Sequence, residues 1–190
     1  MLGNFFNIPF FNEEVIREAI NNAITHRDYR RTSEVVIKQY PQKMVIMNAG
    51  GFPSGVNLDN LLRVQSTPRN RLLADVLAKT GIVERSGQGV DKIFKNTLSE
   101  GKDAPDYTHS DPFRVELHLS ATIKDKAFAM FLNSEQRDLP EEERLSVFEV
   151  IALNKIRQGD SQQVAKEMID KLLNRGLIEK RGKTRGVYYI

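Results

Sequence analysis

Three polar residues recur at four-residue intervals in the segment EAINNAITHRDY, which runs from Glu18 to Tyr29. In a helix, Glu18, Asn22 and His26 would lie on one face, because residues four apart are neighbours there. A carboxylate can orient water, and an amide oxygen is a ligand that Mg²⁺ accepts. The row borders the apolar face, so it could surround a ligand. It could equally be the ordinary polar margin of an amphipathic helix.

Two glycine-containing segments follow this row. NAGGFPSG, residues 48–55, comes after a predicted strand, and SGQGV, residues 86–90, precedes a predicted helix. Glycine lets the backbone approach a ligand closely, and exposed amide groups at the start of a helix favour phosphate. Each segment alone is a weak signal, since turns and helix ends use the same residues. Their order after the polar row is more specific.

The elements that would position these residues can be predicted from periodicity and end signals. Asn12 is a helix cap before an acidic first turn, and EVVIKQY with KMVIMN predicts a β-hairpin. The remaining patterns predict three helices and a strand: helices at 58–64, at 70–79 with Gly81 closing it, and at 90–99, and the strand FRVELHLS. With a first helix over 13–26, this mixture predicts an α+β layer fold.

The pattern changes near Ala121. Three helical stretches are predicted at 123–133, 141–157 and 161–175, followed by two strands, GLIEK and VYYI, around the basic turn RGKTRG. Helices followed by a hairpin in this order are typical of a winged helix-turn-helix. We therefore expect two domains, 1–120 and 121–190.

Composition excludes several classes of function. Of 190 residues, 40% are hydrophobic and 28% charged, as in ordinary globular proteins. There is no cysteine, and the three histidines have no metal-ligand spacing, which excludes disulfides and argues against structural zinc. No apolar run is long enough to span a membrane, so we expect a cytoplasmic protein without a membrane partner. The net charge of +3 permits nucleic acid as a partner without requiring it.

Two resemblances follow from the quoted motifs. Glu18-x-x-x-Asn22-Ala23 resembles the N-box of the GHKL ATPases. The first glycine segment is similar to a reduced form of their first glycine box, and the second segment resembles their second. Over about residues 8–120, EAINNAITHRDY, NAGGFPSGV and RNRLLADVLAKTGIVERSGQGVDKI together resemble the C-terminal domain of RecG-related ATP-dependent DNA helicases or transcriptional regulators. Because the chain has no Walker A motif, we do not expect helicase activity from it.

The resemblance implies a GHKL-like helix-on-mixed-sheet sandwich that holds ATP and Mg²⁺. Glu18 would be the general base and Asn22 the magnesium ligand, while Asn48 stands where the family has an aspartate that contacts adenine. An amide lacks the charge of that aspartate, which weakens adenine selection. The resemblance also implies Gly50, Gly51, Gly87 and Gly89 at the cofactor, and we add His26 because it continues the polar row. Members of the family commonly carry an AlbA-like DNA-binding domain upstream, so we expect such a domain to precede this region.

The C-terminal region carries an excess of positive charge. In winged helices the third helix enters the major groove and the wing contacts phosphate. On that basis we expect groove contacts from Gln162, Gln163, Lys166 and Lys171, and phosphate contacts from Lys180, Arg181, Lys183 and Arg185. The alternative is that this module docks proteins or dimerises.

The sequence thus predicts the C-terminal part of a DNA-binding transcriptional regulator, with a degenerate nucleotide-binding domain and a winged helix that binds duplex DNA. Two alternatives stay open. One is a working Mg-ATP-dependent ATPase that signals through its winged helix. The other is a homodimerising or scaffold unit that binds neither ligand.

Overall fold

The computed structural model describes residues 7–64, 67–82, 88–182 and 188–189. Its contacts divide the chain into two compact units, Met1–Phe131 and Leu132–Ile190. The first unit contains helices α1 (Glu13–His26), α2 (Arg71–Lys79) and α3 (Gly89–Ser99), strands β1 (Val36–Gln39), β2 (Lys43–Ala49) and β3 (Arg114–Ser120), and the start of α4 (Lys126–Gln136). Because α4 crosses the division, the expected boundary at 120/121 stays a prediction.

Helix α1 has the bounds that its sequence predicts. The side chain of Asn12 caps it by accepting hydrogen bonds from the amides of Glu14 (2.9 Å) and Val15 (3.2 Å). Two acidic residues in the first turn also favour this helix start electrostatically. The small and branched residues Val15, Ala19 and Ala23 form its buried face. This face fixes which side of the helix carries the polar row.

The three strands form an antiparallel sheet in the order β1-β2-β3. The predicted hairpin and the third strand are confirmed, but the described strands contain no parallel pair, so the expected mixed sheet is antiparallel here. In the central strand, Ile46 lies opposite Ile37 on one side and Leu117 on the other. The core of the unit lies on this face of the sheet, where α1 and α3 pack: Val15, Ala19, Ala23, Met44, Ile46, Ile93, Tyr107, Leu117 and Leu119.

The predicted helix at 58–64 is wrong. This stretch forms turns, because two asparagine side chains compete with the helical backbone pattern. Asn57 Oδ1 accepts from the amides of Asp59 (3.0 Å) and Asn60 (3.1 Å), and Asn60 Oδ1 accepts from the amide of Asn57 (2.8 Å). The next helix, α2, ends as predicted, with Gly81 at a φ of 73° just beyond its cap.

The second unit contains the end of α4, helices α5 (Val147–Arg157) and α6 (Lys166–Asn174), and the short strands β4 (Lys180–Arg181) and β5 (Tyr188–Tyr189). Both long predicted helices begin later than expected. Ser146 and Glu149 form a reciprocal capping box that starts α5, and residues 141–143 are a separate 3-10 turn. Residues 161–163 form another 3-10 turn, and Val164 is extended before α6.

Along the described ranges, no helix combines the length and apolar character needed to cross a membrane.

Candidate functional site

The structure brings Glu18, Asn22 and Gly89 together where α1 packs against α3. Glu18 is 5% exposed. A methyl group built on the Cα of Gly89 would lie 2.8 Å from Glu18 Oε2 and 3.3 Å from both Oδ1 and Nδ2 of Asn22. Glycine at the start of α3 leaves room for this carboxylate and amide in the positions that they occupy. Glu18 and Gly89 thus lie next to each other although 71 positions separate them in the sequence.

Two polar atoms of the row are buried without a partner. Asn22 Nδ2 and His26 Nδ1 make no hydrogen bond to the part of the chain that the structure describes. A buried donor or acceptor left unpaired costs about 1–3 kcal/mol, so such atoms commonly mark ligand sites or strain. Burial lowers the pKa of His26, and the nearby Arg69 guanidinium lowers it further. The imidazole is thus neutral at pH 7, and its tautomer decides whether Nδ1 donates or accepts.

The first glycine segment is used inside the protein. The Gly50 amide donates to Phe113 O (2.7 Å), and the Gly51 amide donates to Pro112 O (3.2 Å). Gly51 is also crowded, since a Cβ there would lie 2.7 Å from Asp111 O. These glycines let the end of β2 pack closely against the turn before β3. Their amides are not free to bind a phosphate.

Asn48 also has an internal role. It is 5% exposed, and its Nδ2 donates to Ala49 O at 3.3 Å. On β2 it lies opposite Val115 of β3. Asn48, which the resemblance places at the adenine, is therefore buried in the sheet.

An ion-pair cluster at the end of α1 was missed by sequence reasoning. The buried Asp28 carboxylate accepts from Arg30 Nε (2.9 Å) and lies 3.5 Å from Arg31 Nε and 3.9 Å from Arg69 Nη1. The hydrogen bond from the Arg30 side chain, which outweighs the effect of burial, holds the Asp28 pKa well below its ordinary value. The amide of Asp28 donates to Ala49 O (2.8 Å), which ties the cluster to β2.

Arg69 and Asn70 join α1 to the first glycine segment. Arg69 donates from Nε to His26 O (3.0 Å) and from Nη2 to Gly51 O (2.8 Å). Asn70 precedes α2 but does not cap it; its Nδ2 donates to Thr25 O (2.9 Å) and Arg27 O (2.7 Å) at the end of α1. The sequence signal for these two contacts was slight: Arg69 and Asn70 are the first residues of the segment RNRLLADVL, where a helix is predicted to begin.

An open cavity of about 570 Å³ lies at this corner of the first unit. Its size is within the range of small-molecule pockets. Two arginines, Arg69 and Arg71, contribute positive charge to its wall. The full lining is Tyr29, Arg69, Asn70, Arg71, Leu72 and Leu73. None of the site residues expected from the sequence is in that lining, so the cavity and the Glu18–Asn22–Gly89 contact are neighbouring but separate features.

Gly87, expected at the cofactor, lies outside the described residues. Within the described ranges, no group of three His, Asp or Glu side chains could hold a metal ion.

In the second unit, Lys171, which we expect at DNA, lies against a buried carboxylate. The Glu149 carboxylate, 2% exposed, accepts from Ser146 and from Arg175 Nη1 (2.8 Å), and Lys171 Nζ lies 3.3 Å away. Burial raises the pKa of Glu149, but the hydrogen bonds from these three residues outweigh it and lower the pKa to about 2. This cluster fixes α6 against α5.

The remaining residues expected at DNA differ in their surroundings. Lys166 and Lys180 are exposed, and Arg181 pairs with Glu179 at 3.1 Å. Gln162 and Gln163 are exposed in the 3-10 turn before α6 and are not part of that helix. Lys183 and Arg185 lie outside the described residues.

Comparison with known proteins finds a family match for part of the chain and a solved structure of similar fold. Residues 32–117 match the family described as "Putative ATP-dependent DNA helicase recG C-terminal". This region includes both glycine segments and begins after α1, so Glu18, Asn22 and His26 lie outside the match. No curated protein matches the chain.

The crystal structure of the DIP2311 protein from Corynebacterium diphtheriae is similar in fold, with a TM-score of 0.73 and 22% sequence identity. The similarity covers 97% of this chain and 41% of that chain, so this chain spans less than half the length of that protein. The chain thus contains a region similar to the RecG C-terminal family of ATPase type, within a fold that a solved structure shares.

Proposed function

We propose that the first unit holds a reduced nucleotide-binding site of ATPase type, which binds nucleotide without turning it over. The observation that carries this proposal is the meeting of Glu18 and Asn22 with Gly89, beside two buried polar atoms that have no partner in the described part of the chain. The match of residues 32–117 to a family described as ATP-dependent supports the same ligand class.

The residues on α1 and α3 fit such a ligand. As the first residue of α3, Gly89 has an amide without an intrahelical acceptor, which could donate to a phosphate oxygen. Asn22 would supply its amide oxygen to Mg²⁺, since rotating the amide exchanges Oδ1 with Nδ2. When bound, Mg²⁺ neutralises phosphate charge. His26, kept neutral by its lowered pKa, would hold a polar group of the ligand at Nδ1.

The first glycine segment does not fit a phosphate, and this is why we propose binding without turnover. The amides of Gly50 and Gly51 are bonded to the turn before β3, and Asn48 is buried in the sheet without the charge of an aspartate. Fewer donors then remain to stabilise charge that develops on a transferring phosphoryl group. Weak nucleotide affinity and no turnover above background would both follow.

Isothermal titration with Mg-ATP and with Mg-ADP tests this proposal. We expect a Kd below about 1 mM, which means a binding free energy more favourable than about −4 kcal/mol. Asn22→Ala should weaken it at least about tenfold, because it removes the amide beside Gly89. The matched control is Asn174→Ala, which removes an exposed amide at the end of α6. No heat signal at about 1 mM of either nucleotide would overturn the proposal.

The second candidate is a working ATPase, favoured by the position of Glu18. Its buried carboxylate lies beside Asn22, where it could orient a water molecule as a general base. In that case phosphate release would exceed background, and Glu18→Gln would abolish release while keeping nucleotide binding. Under our main proposal the wild type releases no phosphate above background, and Glu18→Gln changes nothing in that assay.

For the second unit we propose a winged helix that binds duplex DNA, as in a transcriptional regulator. Its order supports this: α5, a 3-10 turn and α6 are followed by the antiparallel strands β4 and β5. Lys166 on α6 would face the major groove, and Lys180 and Arg181 would contact phosphate. Lys171 would contribute less, since it lies against Glu149. A cytoplasmic location, consistent with the absence of cysteine, belongs to the same proposal.

Fluorescence anisotropy with a duplex of about 20 base pairs tests this second part. The logarithm of the affinity should fall linearly with the logarithm of salt between about 50 and 200 mM. Lys180→Gln and Arg181→Gln, which remove the proposed phosphate contacts, should each reduce that slope by about one, whereas Lys79→Gln, an exposed lysine on α2, should not. No duplex binding at about 50 mM salt, or a slope of zero, would contradict it.

A further inference from the structure

Strand β1 is an open edge of the three-stranded sheet. It pairs with β2 on one side, and no described residue pairs with its other side. The opposite edge differs, because Asp106 bridges β3 through two backbone hydrogen bonds with His118, of 3.0 and 2.8 Å. All four residues of β1 are exposed, including Val36 and Ile37 at 36% and 45%. A bare edge with apolar side chains is a template for a further strand.

The outward-facing backbone groups of this edge can be identified. The Tyr40 amide donates to Lys43 O (2.8 Å) at the end of the hairpin. Bonding residues alternate along an antiparallel pair, so Lys38 and Val36 also bond inward to β2. The amides and carbonyls of Val35 and Ile37 therefore face away from the sheet. Just before them, Arg27 fixes the chain by donating to Ser33 O from Nε (3.0 Å) and Nη2 (2.9 Å).

We propose that the occupant of this edge is β1 of a second copy of the chain, in antiparallel register centred on Val36. In this register Val35 lies opposite Ile37 of the other copy, and these are the residues whose backbone groups face outward. Each such pair exchanges two backbone hydrogen bonds. Ile37 lies opposite Ile46 of the core, and Val35 packs against the core, so this pairing continues the apolar face of the sheet across the two copies.

Charge complementarity selects this register and this occupant. Centring on Val36 places Glu34 opposite Lys38 of the other copy, and by symmetry this happens twice. Neither Glu34 nor Lys38 has an ion-pair partner among the described residues. A shift by one residue would move the apolar side chains to the wrong face. A shift by two residues in either direction would keep the faces but separate Glu34 from Lys38.

Sedimentation equilibrium of the whole chain, from about 5 to about 500 µM, tests the proposal. A short edge buries less than a standard interface, so association should be visible only at the upper concentrations. We expect the average mass of wild type to rise there from the monomer's 21.7 kDa towards twice that value. A wild type that stays monomeric throughout, as it would if β1 received a strand of a different protein or none, overturns the proposal.

Charge reversal distinguishes this pairing from any other dimer. Glu34→Lys and Lys38→Glu should each abolish self-association, because like charges then face each other. An equimolar mixture of these two variants should associate, and the variant carrying both changes should recover self-association. Lys79→Glu, which reverses an exposed charge on α2, is the control and should dimerise like wild type. If Glu34→Lys and Lys38→Glu dimerise like the wild type, the dimer interface does not involve β1, and the proposal is overturned.

Discussion

The two glycine segments of the first unit use glycine for different purposes. At the end of β2, Gly50 and Gly51 bring the backbone close to other backbone, and their amides donate to Phe113 and Pro112. At the start of α3, Gly89 leaves space for two side chains, Glu18 and Asn22. The first segment holds the fold together, whereas the second borders polar atoms that a ligand could use.

This difference shows that a glycine motif does not by itself identify a phosphate site. The partner of each amide decides its role. In the first segment the partners are carbonyl groups of the same unit, so substitutions there should act on stability. At Gly89 the neighbours are the carboxylate and amide of the polar row, so substitution should act on ligand binding. The following predictions test that separation, in order of decreasing effect on stability.

Gly51→Ala should cause the largest loss of stability. The added Cβ would meet Asp111 O at 2.7 Å and the backbone of Pro112 at 2.9 Å, neither of which can move freely. Overpacking of this kind costs about 1–3 kcal/mol in the free energy of unfolding, measurable by urea titration. The control is Gly55→Ala, where space is open and only the φ of 82° is unfavourable, at about 1 kcal/mol. Equal losses at the two positions would refute the packing argument.

Asp28→Asn should cause a smaller loss that depends on pH. The folded-state pKa of Asp28 is depressed, so its carboxylate stabilises the fold above the unfolded pKa of about 3.9. That contribution disappears as the pH falls through the folded-state pKa. The difference in unfolding free energy between wild type and variant should therefore be constant from about pH 7 to about pH 5 and shrink towards pH 3. A difference that stays constant down to about pH 3 would mean that the charge is not the cause.

Gly89→Ala should have the smallest effect on stability and a clear effect on ligand binding. The new methyl meets the flexible end of the Glu18 side chain, which can move, and alanine is the better helix former. We expect a change below about 1 kcal/mol in the free energy of unfolding. The Kd for Mg-ATP should rise at least about tenfold by titration calorimetry. Unchanged nucleotide affinity in this variant would show that the space at Gly89 is not part of the site.

Much of the fold follows from local sequence signals. The bounds of α1 follow from Asn12 and the apolar spacing, and the hairpin follows from β-branched residues around Pro41 and Gln42. The sequence also contains a signal for the start of α5 at Val147 rather than at 141, because Ser146 and Glu149 have the spacing of a capping box. The false helix at 58–64 had helical apolar spacing, but the side chains of Asn57 and Asn60 compete with it.

The site was only half predictable, for a physical reason. The polar row and the glycines are local patterns, so their positions could be predicted, and α1 and α3 do bring Glu18, Asn22 and Gly89 together. The Gly50 and Gly51 amides donate to the turn at residues 112–113, more than 60 positions later in the sequence. The bond from Arg69 to His26 also joins residues that are far apart in the sequence. Contacts of this kind depend on tertiary packing and have no signature in a single sequence.

The central claim, that Gly89 borders a ligand and Gly50–Gly51 do not, can be tested in one titration. In a ¹⁵N-labelled sample, increasing Mg-ADP should shift the backbone amide signal of Gly89 and the side-chain amide signal of Asn22. The signals of Gly50 and Gly51 should stay in place, because their amides remain bonded to Pro112 and Phe113. Shifts at Gly50 and Gly51 without one at Gly89, or no shift at any of them, would contradict the account.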